Sequence, residues 1–294
     1  MMLRQLIDHA AAALADAGVG SPRVDAELLA AHAAGTERGR LSLTRTEDLP
    51  ADFRARLDGL VAERVKRVPL QHLLGSAAFG PVQLAVGPGV FVPRPETEAL
   101  LEWALETLGA SPAAQPLPRD PVIVDLCTGS GALAVALATH RPSARVIAVD
   151  DSEAALAYAR RNSAGTGVEV VAADVTAPDL LPELNGAVDL VVANPPYIPD
   201  GAELEPEVAD HDPAHALFGG PDGMTVIRAI TALAHRWLRP GGRCAVEHDD
   251  TTSEETVAAF VGAGGFEEVT ARRDLTGRLR FVTATRCDMG AELP

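Results

Sequence analysis

The stretch Val122-Ile123-Val124-Asp125-Leu126-Cys127-Thr128-Gly129-Ser130-Gly131 passes from a short β-branched run into a glycine-punctuated turn, and residues 132–139 continue as an apolar helix. Strand, tight turn and helix in that order open a βαβ unit. Further runs of strand-forming residues stand at 146–149, 168–171, 188–192 and 243–246, with helix-like segments at 152–162 and 225–238. The alternation predicts an α/β fold, a parallel sheet covered on both faces. Ligands of such sheets bind beyond the carboxyl ends of the strands, so the residues just past each strand are the candidates for function.

Upstream the texture differs. Leu3, Leu6, Ile7, Ala10 and Leu14 recur at helical spacing, Ser21-Pro22 marks a second helix start, and Phe53, Leu57, Leu60, Val61 and Val65 mark a third. Residues 1–70 therefore read as a small helical bundle with a polar connection at 44–48. Glycine and proline punctuate 75–95 as in a β-hairpin or extended linker, 99–108 is helical, and 111–121 is a proline-rich connection. The 294 residues are 47% hydrophobic, enough for real cores, and carry 25 basic against 41 acidic side chains. A formal charge of −16 argues against sequence-independent attraction to nucleic-acid phosphates or anionic membrane. Cys127, Cys244 and Cys287 are odd in number and widely spaced, so neither a disulfide framework nor a cysteine zinc site is expected. With no signal-peptide pattern and no long apolar run, a soluble cytoplasmic protein is expected.

Three strand ends carry polar chemistry. After the first, Gly129 and Gly131 permit close approach of a ligand to backbone N–H groups at a helix start. The second ends at Asp150, nineteen residues past Gly131, where a carboxylate can accept from both ribose hydroxyls. The third leads to Asp174, a potential acceptor for an adenine amine, or else a solvated cap. Gly129-x-Gly131-x-x-Ala134 with an acid beyond also satisfies a dinucleotide fingerprint, which keeps a dehydrogenase open. The fourth strand stops on Asn194-Pro195-Pro196-Tyr197. Paired prolines forbid sheet pairing and helix, so the asparagine is presented in one rigid shape; the alternative is a stiff loop that merely ends a strand. The Asn194 carboxamide and the Pro195 carbonyl are two converging acceptors, suited to a planar –NH₂ group.

The 125–131 loop, Asp150, Asp174 and Asn194-Pro195-Pro196-Tyr197 together resemble the S-adenosylmethionine-dependent amino-methyltransferases. Pro69-Leu70-Gln71-His72-Leu73-Leu74-Gly75, Val90-Phe91-Val92-Pro93-Arg94-Pro95-Glu96-Thr97-Glu98, Glu207-Val208-Ala209, Asp212-Pro213, Ala216-Leu217-Phe218-Gly219-Gly220-x-Asp222-Gly223 and Arg273-Asp274-Leu275-Thr276-Gly277-Arg278 resemble the release factor glutamine methyltransferases, called HemK or PrmC. The resemblance covers nearly the whole chain. It implies a seven-stranded Rossmann-like class I methyltransferase domain at 99–288, preceded by a substrate-docking helical bundle at 1–70 and a hairpin linker at 71–98, with a tail at 289–294. It implies methyl transfer from S-adenosylmethionine, leaving S-adenosylhomocysteine, to the glutamine amide of the Gly-Gly-Gln motif of peptide chain release factors. Asn194, Pro195 and Tyr197 are then catalytic, with Pro196 joining them in substrate binding. Asp125, Cys127, Thr128, Gly129, Ser130, Gly131, Asp150, Asp151, Asp174, Val175 and Asn194 bind the methyl donor. No metal, no stable nucleic-acid partner and no membrane is expected, and the chain is expected to be monomeric.

Two positions depart from the common pattern. Cys127 stands where many members have glycine, and His248-Asp249-Asp250 replaces the usual His-Gly after Glu247. His211-x-x-x-His215 has a metal-like spacing, but Pro213 breaks the helix it would need. Arg94, Glu96 and Glu98 are read as contacting cofactor, as ordering the linker, or as a surface ion network, and Phe91 as packing near the adenosine or, more plainly, as core. A DNA or RNA amino-methyltransferase shares Asn194 to Tyr197 but lacks support from the acidic balance. A non-catalytic release factor binder, or a dehydrogenase, leaves the Asn-Pro-Pro-Tyr stretch unexplained.

Overall fold

A computed structural model describes residues 2–109 and 120–288. Most of the proline-rich connection, and the tail at 289–294, lie outside the described residues. In chain order the elements are α1 (Leu3–Asp16), α2 (Pro22–Ala34), α3 (Phe53–Val65), α4 (Leu70–Leu74), β1 (Ser76–Phe79), β2 (Val82–Ala85), α5 (Glu98–Leu108), β3 (Val122–Leu126), α6 (Ala132–His140), β4 (Arg145–Asp150) and α7 (Glu153–Asn162). They continue with β5 (Glu169–Ala172), β6 (Val188–Ala193), α8 (Pro206–His211), α9 (Thr225–Trp237), β7 (Leu238–Glu247), α10 (Ser253–Ala263), β8 (Phe266–Arg273) and β9 (Leu279–Arg286). No helix among the described residues is long and apolar enough to cross a membrane.

The chain divides into two compact units. The first comprises residues 2–77 together with Val86–Pro88 and Leu204–His211. Its core is the helical stripe expected from the spacing: Leu3, Ile7, Ala10 and Leu14 of α1 meet Leu29 of α2 and Phe53 and Leu57 of α3. The unit extends beyond the boundary drawn at 70, because α4 turns Leu70, Leu73 and Leu74 onto that core before Gly75 ends the helix. It also takes in α8, far along the chain. The buried Arg64 guanidinium donates through Nε to Asp25 Oδ2 at 2.8 Å and through Nη1 to Glu207 Oε2 at 2.9 Å. A guanidinium this buried is tolerated because two carboxylates and the Val68 carbonyl satisfy it.

The second unit holds the sheet, in the order β5-β4-β3-β6-β7-β9-β8. Strands β5, β4, β3, β6 and β7 are mutually parallel, while β9 runs antiparallel between β7 and β8. Successive side chains of a strand face opposite ways, and here both faces are apolar. Ile123, Leu190 and Val192 point to the face covered by Leu100 and Ala104 of α5 and Leu133 and Leu137 of α6. Val124, Leu126 and Val191 point to the other, covered by Ile227, Ile230 and Trp237 of α9 and Phe260 of α10. The five predicted strands all form. The last starts earlier, at Leu238, and the stretch 273–278 is the turn of the β8–β9 hairpin, held by Asp274 Oδ1 accepting from Thr276 and Arg278. From β3 the chain winds outward to β5, then returns to the other side of β3 as β6. That reversal places a crevice at the carboxyl ends of β3 and β6.

Candidate active site

The β3 end is organised from beneath by Asp125. Its Oδ2 accepts from the Thr128 hydroxyl at 2.5 Å and from the Ala134 amide at 3.0 Å, pinning the turn to the first turn of α6. Burial pushes its carboxyl up to about 7 against those two donations, and its Oδ1 is buried with no hydrogen-bond partner. Asp125 thus shapes the loop from inside. Asp150 joins the loop to β4: Oδ2 accepts from Gly129 N–H at 2.8 Å and Oδ1 from Ser152 N–H at 3.0 Å. Burial raises its pKa while those two amides hold it down. Asn162, at the end of α7, was missed in the sequence. It donates to the Ser130 and Ala85 carbonyls, each at 2.9 Å, and accepts from Ala85 N–H at 2.8 Å, so one carboxamide ties the loop to β2.

Cys127 has φ +57°, a left-handed backbone that favours glycine, so the departure at this position carries a side chain on a glycine conformation. Burial and the surrounding carboxylates Asp150 and Asp125 raise its thiol pKa well above the ordinary value, which makes it a poor nucleophile. Cys127→Gly is expected to keep stability within about 1 kcal/mol, since relief of strain offsets the added freedom of the unfolded chain. Cys127→Val, β-branched at the same φ, is expected to cost about 2 kcal/mol or more. Chemical denaturation of the two variants checks both.

At the β6 end Asn194 is half-buried. Its Nδ2 donates to the Thr97 hydroxyl oxygen at 3.0 Å, across 97 positions of sequence. Tyr197 donates to Glu247 Oε1, the last residue of β7, at 3.2 Å, and its ring packs on the core. Its hydroxyl pKa is raised by burial and by Glu247, so Tyr197 anchors the loop and is not poised to give up a proton. The loop backbone is braced by the glycine-rich stretch beyond it: Ile198 N–H donates to Leu217 O at 2.9 Å, Gly219 N–H to Ile198 O at 2.9 Å, and Asp200 N–H to Gly220 O at 3.0 Å. That bracing explains the Phe218-Gly219-Gly220-x-Asp222-Gly223 motif.

Glu247 was left without a role by the sequence, though an acid ending a buried apolar strand was a readable signal. It is 1% exposed, and burial pushes its carboxyl up to about 7 against the Thr97 hydroxyl, Arg280 and Tyr197. A carboxyl raised from 4.5 to about 7 on folding lends stability that is present below pH 4.5 and lost as pH climbs to about 7. Glu247→Gln is therefore expected to be the more stable protein at pH 8, by up to about 3 kcal/mol, with the gap closing towards pH 4. Thermal unfolding across that range measures it. Beyond Glu247, the Asp249 side chain accepts from Thr251 N–H at 2.9 Å, so the unusual Asp249 turns the chain towards α10.

The remaining predicted residues fall at the ends of β4 and β5. Asp151 and Asp174 are exposed and Val175 is buried. Asp174 Oδ1 accepts from the Thr176 amide and hydroxyl, both at 2.7 Å, the capping arrangement that was the plainer reading of this residue. Arg94 donates to Asp212 Oδ2 at 2.5 Å and lies over the Phe91 ring, which ties the linker to a residue 118 positions on, and Glu98 Oε1 accepts from Gly80 N–H at 3.2 Å, at the turn between β1 and β2. Among the described residues no group of three or more His, Cys, Asp or Glu is placed to hold a metal ion.

A sheet of this order, with a glycine turn after β3, a carboxylate at the end of β4 and an asparagine-proline loop after β6, defines the S-adenosylmethionine-dependent methyltransferase class. Family comparison agrees: residues 5–75 match the PrmC N-terminal domain and residues 107–211 the methyltransferase small domain. The chain is 71% identical over 284 residues to a release factor glutamine methyltransferase of Mycolicibacterium smegmatis, covering 97% of this chain and 98% of that protein. It is 65% identical over 291 residues to one of Mycobacterium tuberculosis, covering 97% and 92%. A 4-amino-L-phenylalanine/4-methylamino-L-phenylalanine methyltransferase of Streptomyces pristinaespiralis is 40% identical over 273 residues, covering 92% and 91%. Among solved structures, a ribosomal protein L11 methylase of Lactobacillus delbrueckii subsp. bulgaricus aligns with a TM-score of 0.46 and 20% identity, over 69% of this chain and 84% of that one. The chain belongs to the release factor glutamine methyltransferase family.

Proposed function

We propose that this chain transfers a methyl group from S-adenosylmethionine to the side-chain amide nitrogen of the glutamine in the Gly-Gly-Gln motif of peptide chain release factors. The observation that carries the reading is the half-buried Asn194 on a proline-stiffened, backbone-braced loop, one strand away from the glycine turn. The residues present fit the methyl donor. The space over Gly129 is open, the Asp125 Oδ1 acceptor is unmet, and the carboxylates of Asp150 and Asp174 stand at successive strand ends. Bound there, the donor supplies an electrophilic methyl on a sulfonium.

Amide nitrogen is a poor nucleophile because its lone pair is delocalised into the carbonyl. The chain's contribution is orientation and electrostatics. Asn194 Oδ1 and the Pro195 carbonyl accept the two amide hydrogens in plane, which raises electron density on nitrogen and turns its free face to the incoming methyl. No strong base is required, since the methylated nitrogen is far more acidic and its proton can leave afterwards. The glutamine and the 4-amino-L-phenylalanine named for the relatives both present –NH₂ on a planar carbon. The helical unit docks the release factor, the acidic surface disfavours stable nucleic-acid binding, and the protein acts as a cytoplasmic monomer.

Labelled S-adenosylmethionine offered with release factor, nucleic acid or 4-amino-L-phenylalanine tests the reading. Label in release factor alone is expected, and label in nucleic acid alone overturns it. Whole release factor is expected to exceed a short Gly-Gly-Gln peptide in kcat/KM; equal values would remove the docking role. Asp150→Ala is expected to weaken binding of the donor by about 2 to 4 kcal/mol, through the ribose contact and the freed Gly129 amide. Calorimetric titration decides it, and unchanged affinity would take Asp150 off the site.

A further inference from the structure

An asparagine carboxamide is two-faced. With Oδ1 towards the substrate it accepts from an –NH₂ group; turned over, it opposes donors with donors. Something must hold it one way round. Thr97 ends a short 3-10 turn over Pro95–Thr97 that leads into α5, and its side chain makes no bond to the helix amides. It is buried, and its oxygen accepts from Asn194 Nδ2 at 3.0 Å. A hydroxyl that has accepted still has one proton to give, and Thr97 lies near enough to the buried Glu247 carboxyl to hold its pKa down. Glu247 Oε1 accepts from the Tyr197 hydroxyl at 3.2 Å, and no hydrogen-bond donor closes on its Oε2.

We propose that Thr97 and Glu247 are positioning residues that fix the face of the Asn194 carboxamide: Glu247 draws the Thr97 proton, Thr97 must then accept from Nδ2, and Oδ1 is left facing the substrate amide. This rests on the role given above to Asn194. It gives a role to an acid that is buried where it lowers stability at neutral pH. A glutamine at 247 has a similar shape but can donate to Thr97, which frees the hydroxyl proton for Asn194 Oδ1 and allows the carboxamide to turn over.

The test uses the full chain with release factor and S-adenosylmethionine. Thr97→Val keeps the shape and removes the hydroxyl; it is expected to lower single-turnover methylation about ten- to a hundredfold, with donor affinity by calorimetry unchanged. Thr97→Ser, which restores the hydroxyl and removes the methyl, is expected to recover most of that loss. Glu247→Gln is expected to be slower while unfolding at a higher temperature at pH 8. In ¹⁵N-labelled protein the Asn194 side-chain amide resonances, assigned by their loss in Asn194→Ala, are expected to move in Thr97→Val and Glu247→Gln and to stay in Thr97→Ser. Full activity of Thr97→Val beside an inactive Asn194→Ala would overturn the positioning role alone. Full activity of Asn194→Ala would overturn the reading beneath it. A Thr97→Ser as slow as Thr97→Val would assign Thr97 to packing and likewise sink the proposal.

Discussion

Asn194→Ala is expected to lower the single-turnover rate of release factor methylation by about 10² to 10³, the penalty of removing a preorganised dipole aimed at developing charge. The fold is expected to survive, because Asn194 lies beyond the last residue of β6 and, among the described residues, its side chain bonds to Thr97 alone. Asn194→Asp is the sharper variant. It keeps an acceptor of nearly the same shape but sets a negative charge beside the sulfonium, which favours the charged ground state over the charge-dispersed transition state. Donor affinity is therefore expected to hold or rise while the rate falls. The Asp also loses the Nδ2 donor, so Thr97 and Glu247 face a third acceptor across a buried gap. Mass spectrometry of the modified glutamine reads the rate, and near wild-type turnover in both variants would mean the motif is only a stiff turn.

Gly223→Ala is expected to be the most damaging conservative substitution outside the reacting groups. A Cβ at 223 would stand 2.2 Å from the Tyr197 carbonyl oxygen, on a backbone at φ +72°. The obstacle is backbone, so nothing flexible can step aside. Tyr197 is held from the other side by Glu247, and the strain must pass along the loop towards Asn194. A stability loss of about 2 to 4 kcal/mol is expected. A displacement near 1 Å would lower the rate about a hundredfold. Gly262→Ala in α10 is the control: its added Cβ meets nothing within 4 Å, and helix propensity favours the change. Equal stability of the two variants would refute the bracing role of the 217–223 stretch.

The central sheet was legible because each strand is a β-branched run bounded by glycine, proline or a polar turn, and because the glycine turn and the Asn-Pro-Pro-Tyr stretch are continuous in sequence. What escaped was built from distant residues. Thr97 and Asn194 are 97 positions apart, and Asn162 is 77 from the strand it holds. Neither periodicity nor composition reports such pairings. The short α4 and α8 escaped for another reason: five and six residues are too few to display a helical repeat, and each is set by what it packs on. Cys127 is the intermediate case, since its departure from glycine was visible and its backbone confirms that a glycine conformation is kept.

The helical unit is not a contiguous cassette, and this bears on how such chains can recombine. It completes itself with Leu204–His211, so the partner of Arg64 is encoded on the far side of the Asn194-Pro195-Pro196-Tyr197 codons. A single crossover near residue 77 would combine an Arg64 from one parent with a Glu207 from the other, and any pair of parents mismatched there would leave a buried cation short of an acceptor. Exchange of this unit between relatives with Arg64 and Glu207 kept together therefore requires three crossovers, one after α4 and one on each side of α8, so that the two segments are inherited together.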